Sequence, residues 1–178
     1  MAQRDSGYKR KKNDAYYTEP WVTEALLPYI PDRVRSIWEP ACGKGGIAKV
    51  LREAGYLVTA TDLKAGEDFL RMLNVGAQAV ITNPPYGLTK EFIYKALEMT
   101  KPQRGFVAML LRTDYDHGKT RRDIFGGCRQ FAQKLVLTKR IVWFRPVIAS
   151  PSENHAWFMW DWRRGSMPRI YYHYEEAA

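Results

Sequence analysis

A chain of 178 residues, 46% hydrophobic and 26% charged, has the length and composition of one globular domain and excludes a disordered or fibrous chain. No apolar run approaches the ~18 residues that cross a bilayer, and the basic N-terminus has no apolar stretch behind it, which argues against a signal peptide. Cys42 and Cys128 fit neither a disulfide framework nor a zinc site. A soluble cytoplasmic domain is expected, monomeric or weakly dimeric, with no metal and no membrane contact. The net charge of +9 is concentrated: residues 1–12 carry five basic and one acidic residue, and residues 101–145 carry eleven basic and three acidic. Charge gathered in this way favours a polyanionic partner through counterion release, although a solvated tail and a basic surface give the same pattern.

In chain order, residues 1–14 read as a basic arm and residues 15–178 as one domain. Thr18 as N-cap and Pro20 in the first turn predict a helix whose face is Val22, Leu26, Leu27 and Ile30. A short strand, Ser36 to Trp38, precedes the loop Glu39-Pro40-Ala41-Cys42-Gly43-Lys44-Gly45-Gly46. Ile47, Val50 and Leu51 then form a helical face ending near Gly55. Leu57 to Ala60 reads as a second strand, Phe69 to Leu73 as a short helix, and Ala79 to Thr82 as a third strand running into Asn83-Pro84-Pro85-Tyr86. Phe92, Ile93, Ala96 and Leu97 mark a helix, and Gly105 to Leu111 is apolar enough for a strand buried on both faces. Leu135 to Phe144, Ala156 to Trp162 and Ile170 to Tyr174 complete the strands, with Trp157, Trp160 and Trp162 packing in the tail. Strands alternating with helices through short links predict a single α/β sheet, mostly parallel with an antiparallel closing part.

Three loops carry chemistry. The glycine turn after the first strand lets backbone approach a ligand closely, but its spacing matches neither the dinucleotide fingerprint nor a triphosphate loop. Asp62, at the end of the second strand, can accept from ribose hydroxyls, and Asp68-Phe69 offers a carboxylate and a ring nearby. Carboxylates would repel a diphosphate, so an adenosine-bearing cofactor without phosphates is favoured; capping of loops is the structural alternative. The third loop, Asn83-Pro84-Pro85-Tyr86, is a rigid turn that presents carbonyl acceptors. The Asn83 side-chain oxygen and the Pro84 carbonyl can hold both hydrogens of one exocyclic NH₂ group. That grip turns the nitrogen lone pair out of the conjugated plane, toward an electrophilic methyl group. Tyr86 adds a face for a planar target. Cys42 reads as a small loop residue rather than a nucleophile, and Asp114, Asp116 and His117 as a polar loop rather than a metal cluster.

These segments together resemble the ordered motifs of S-adenosylmethionine-dependent amino methyltransferases, nearest to small phage-type DNA adenine-N6 methyltransferases. The resemblance implies a Rossmann-like class I methyltransferase sheet, with S-adenosylmethionine as cofactor and DNA as substrate. It implies that Tyr17, Thr18, Glu39, Ala41, Cys42, Gly43, Gly45, Asp62, Leu63, Asp68, Phe69 and Asn83 line the cofactor site. Asn83, Pro84, Pro85 and Tyr86 would bind the target amine, and Phe144 (or Trp143) would cover a flipped base from the other side. No separate recognition domain fits the spacing, so base reading is expected from the loop Arg112 to Gln133, with Lys119, Arg121, Arg122 and Arg129, and from residues 146–154, at low sequence specificity. The same amine chemistry serves adenine in RNA, cytosine N4 or a protein glutamine amide. A non-catalytic nucleic-acid-binding module is the alternative of a different class.

Overall fold

The computed structural model describes residues 18–73, 75–142, 153–163 and 167–174. The expected N-terminal arm, Tyr17, Trp143 and Phe144 lie outside the described residues, as does most of the 146–154 loop.

Among the described residues seven strands form one sheet: β1 (Ser36–Glu39), β2 (Leu57–Ala60), β3 (Ala79–Thr82), β4 (Phe106–Arg112), β5 (Phe131–Leu137), β6 (His155–Asp161) and β7 (Arg169–His173), in the order β2-β1-β3-β4-β6-β5-β7. β2, β1, β3 and β4 are mutually parallel. β6 runs antiparallel between β4 and β5. β7 is parallel to β5, so β6 is the antiparallel strand expected in the closing part of the sheet.

Alternate side chains on these strands serve two cores. On one face, Ile37, Ile81, Ala108, Leu135 and Trp157 meet α1 (Pro20–Glu24) through Val22, the segment after it through Leu26, and α2 (Gly46–Glu53) through Ile47 and Leu51. On the other, Trp38, Val80, Val107, Phe158 and Trp160 meet α3 (Thr89–Thr100) through Phe92, Ile93 and Ala96. The three layers explain why β3 and β4 are apolar at nearly every position: neither face meets water. Burying an indole strands its N–H unless an acceptor is supplied. Trp157 Nε1 donates to the Val22 carbonyl and Trp160 Nε1 to the Ile124 carbonyl, both at 2.7 Å, which ties β6 to both layers.

Several local expectations change. Glu19, not Thr18, is the N-cap residue of α1, which ends at Glu24, and Leu27–Tyr29 continue as a 3-10 turn. Residues 69–73 make a single turn closed by Arg71 and Met72 N–H on the Asp68 carbonyl, not a helix. β5 starts at Phe131 and ends at Leu137, earlier at both ends than the expected Leu135 to Phe144; past the exposed Thr138, Lys139 and Arg140, Ile141 is buried in the core. No helix among the described residues is long and apolar enough to cross a membrane.

Candidate active site

The chain runs outward from β1 to β2, then returns to place β3 on the other side of β1. The loops leaving β1 and β3 diverge at that reversal, and such a point opens a crevice at the carboxyl ends of the strands. A cleft lies there, lined by Thr18, Glu39, Ala41, Cys42, Lys44, Gly46, Ile47 and Asn83. Five of these were named from sequence. Lys44, Gly46 and Ile47 were not; they sit beside or just after the recognised glycines.

The loop after β1 turns through two left-handed positions, Gly43 at φ 52° and Gly45 at φ 78°. The second is the N-cap of α2, so a side chain there would strain the turn that starts the helix. Asp62, at the end of β2, clamps this loop. Its Oδ2 accepts the Gly43 N–H at 2.8 Å and its Oδ1 accepts the Lys64 N–H at 2.9 Å. Each carboxylate oxygen has a further lone pair, so a hydroxyl can still donate to it. Beside it, Leu63 is 61% exposed. Asp68 does what a capping residue does: it accepts the Leu70 N–H at 3.1 Å and pairs with Arg71. Phe69, expected at the cofactor, instead is 2% exposed and packs edge-on to Trp38 and tilted on Phe92 in the core.

Two buried oxygens give the cleft its polarity. Glu39, the last residue of β1, is 1% exposed and has no partner for Oε2 among the described residues. Burial pushes its carboxyl up to about 8; the Ala48 N–H and the Arg52 charge pull down, and the Asp62 charge adds a smaller upward push. Asn83 follows β3 directly. Its Nδ2 donates to Thr18 Oγ1 at 3.4 Å, while Oδ1 is buried without a partner among the described residues. A buried acceptor left open costs ~1–3 kcal/mol, so a ligand that donates to either atom would recover that cost. Thr18 is thereby placed as a support for the Asn83 amide, not as a helix cap. Cys42 lines the same cleft with its thiol pushed upward, mainly by burial and then by the Glu39 charge. A raised thiol is a poor nucleophile.

After Asn83, Pro84 is buried and Pro85 half-buried, and the Pro85 carbonyl accepts from the Leu88 N–H at 2.9 Å, which folds the turn into α3. Tyr86 is half-buried, with its hydroxyl 3.0 Å from His155 Nε2. His155 was not singled out from sequence, because nothing local marks it.

Between β4 and β5 the basic loop divides in two. Lys119, Arg122 and Arg129 are exposed. Arg121 is spent internally, its guanidinium 3.8 Å over the Tyr115 ring and donating to the Tyr115 carbonyl at 2.7 Å. Within β5, Lys134 is buried and its ammonium donates to Asp116 and to the Thr113 carbonyl of that loop.

No protein-family model matches the chain, and no curated protein does. Solved structures do match. A Listeria monocytogenes protein assigned to the class I S-adenosylmethionine-dependent methyltransferases aligns at 15% identity and a TM-score of 0.58, over 85% of this chain and 62% of that one. The fold is that of the class I methyltransferases. The methyltransferase subunit of a type I restriction-modification system from Streptococcus thermophilus aligns at 12% identity and a TM-score of 0.54, over 84% and 45%. The M protein of the type I restriction enzyme EcoKI aligns at 14% identity and a TM-score of 0.51, over 88% and 48%. The chain spans less than two thirds of each of these structures.

Proposed function

We propose that this chain transfers a methyl group from S-adenosylmethionine to an exocyclic amine of nucleic acid, with adenine N6 in DNA as the preferred target. The observation that carries the reading is the open, buried Asn83 Oδ1 at the switch point of a methyltransferase sheet, in the same cleft as the open Oε2 of Glu39. These two atoms fit the two ligands. Glu39 would face the methionine ammonium of the cofactor, where a cation repays the desolvation of a carboxylate that is otherwise protonated. Ala41, Cys42 and Gly43 would line the methionine portion, with Asp62 accepting from ribose and Leu63 covering the adenine. Bound there, the cofactor supplies a methyl group already activated by its positive sulfur.

Asn83 and Pro84 would accept the two hydrogens of the target amine and aim its lone pair at the cleft. Tyr86 would provide the stacking face for a base drawn out of the duplex, a displacement costing a few kcal/mol. Lys119, Arg122 and Arg129 would supply part of that through phosphate contacts, which position the chain without reading sequence. Low sequence specificity follows as part of the proposal. Two of the structures that share the fold come from restriction-modification systems, which supports DNA as the substrate in this proposal.

The test is transfer of label from S-adenosylmethionine to DNA, RNA and bulk protein in parallel, followed by nucleoside analysis. N6-methyladenine from DNA is the expected product. Label in protein glutamine, or in none of the three, contradicts the proposal.

A further inference from the structure

A stacking face is useful only if its plane is set before the base arrives. Tyr86 follows two prolines that fix the backbone, yet its ring still turns about two side-chain bonds. His155 restrains that ring from across the sheet. It is the first residue of β6, 1% exposed, and paired with Arg112 of β4 in the antiparallel ladder. Its Nε2 lies 3.0 Å from Tyr86 Oη, and the two rings run nearly parallel, 22° between planes with centroids 6.4 Å apart.

The surroundings hold the histidine in place. Arg112 pairs with Glu153 at 3.1 Å and with Asp114 at 3.3 Å, and the Thr113 N–H donates to the Asn154 carbonyl at 2.9 Å. These contacts close the end of the ladder around His155. Burial pushes its pKa down to about 4, with a smaller push from Arg112, against upward pulls from the Glu153 backbone and the Asp114 charge. A neutral imidazole offers one donor and one acceptor, so it ties the tyrosine hydroxyl in either tautomer.

We propose that His155 is a positioning residue for the stacking tyrosine: by holding the Tyr86 hydroxyl it presets the ring plane on which the target base lands. This rests on the reading of Asn83 to Tyr86 as the amine-binding segment. A histidine that merely fills the core would stabilise the sheet and leave the handling of nucleic acid untouched. One that sets the ring acts on placement of the base and not on cofactor affinity.

The experiment is a double-mutant cycle on the full chain with Tyr86→Phe and His155→Leu. Tyr86→Phe removes the same hydrogen bond from the half-exposed side, so it stays informative if His155→Leu folds poorly. Each single change is expected to lower kcat/KM for nucleic acid by about 2- to 10-fold, the weight of one hydrogen bond, with cofactor affinity unchanged. The double variant is expected to be no worse than either single one, and His155→Gln to recover part of the loss. In the ligand-free protein, Tyr86→Phe is expected to shift the His155 Nε2 resonance in nitrogen NMR. Additive losses, or an unmoved resonance, overturn the proposal. A shifted resonance with no kinetic loss overturns the positioning role alone. A wild type that methylates no nucleic acid removes the reading beneath it, and that result is visible before any variant is made.

Discussion

Replacing Glu39 by Gln should change how stability depends on pH. In the folded chain the carboxyl titrates at about 8 because burial disfavours its charge; unfolded it titrates near ~4.3. Between those values the folded chain keeps a proton that the unfolded chain releases, so stability falls as pH rises. The slope reaches about 1.4 kcal/mol per pH unit, and the whole effect is on the order of 5 kcal/mol. Below the unfolded value the contribution is present in full, and above about 8 it is gone. Glutamine keeps an acceptor for the Ala48 N–H and carries no titrating group, so the Glu39→Gln profile lacks this descent. Other groups, His155 among them, titrate equally in both proteins and cancel in the difference. Urea unfolding of both proteins at about pH 5 and about pH 8 measures it. Glu39→Gln should gain stability relative to wild type at the higher pH by several kcal/mol. A cationic ligand favours the ionised carboxylate, so wild-type affinity for S-adenosylmethionine should rise over the same interval while that of Glu39→Gln stays flat. Parallel stability profiles would refute the reasoning, because they would mean that Glu39 is ionised in the ligand-free fold.

Three further outcomes are expected. Asp62→Ala removes the acceptor for the Gly43 and Lys64 N–H groups as well as for a hydroxyl, and should weaken cofactor binding by about 10- to 100-fold, with Asp62→Asn intermediate; calorimetry showing unchanged affinity would contradict the clamp. Gly105→Ala would place a Cβ 2.1 Å from the Gln78 carbonyl oxygen, and overpacking against backbone should cost at least ~1–3 kcal/mol in urea unfolding. Lys119→Gln, Arg122→Gln and Arg129→Gln should each lower the slope of log K against log salt on duplex DNA by up to ~0.9, whereas Arg121→Gln should mainly lower stability; equal slopes for all four would show that exposure does not sort these residues.

The sequence is most legible where local pattern and tertiary environment agree. The strand candidates at Ser36, Leu57, Ala79 and Gly105 are short apolar runs bounded by glycine, proline or aspartate, and β1 to β4 fall there within one or two residues. Thr18, Glu39, Ala41, Cys42 and Asn83 converge on one cleft because motifs at strand ends are brought together wherever a parallel sheet reverses its order. What stayed hidden depends on direction or distance. Phe69 follows the expected ribose acid, but a one-turn loop swings its ring into the core. The strand expected from Leu135 onward ends at Leu137, where Thr138, Lys139 and Arg140 break the apolar pattern, and Ile141 is buried in the core after the ladder has ended. Arg121 looks like its exposed neighbours in a basic loop, and only packing shows that the Tyr115 ring takes it up. His155 touches a residue 69 positions earlier, a pairing that only the β4–β6 ladder creates.

In the proposed reaction the open oxygen of Asn83 serves the target amine and not the cofactor. Asn83→Ala, compared with wild type in paired calorimetry and single-turnover methyl transfer, tests it directly. Cofactor affinity should stay within about threefold, since less than one hydrogen bond is at stake there. Transfer to adenine should fall by about 100-fold or more, because the lost contacts strengthen as charge develops on the amine. Transfer that survives in Asn83→Ala at near wild-type rate would contradict the account.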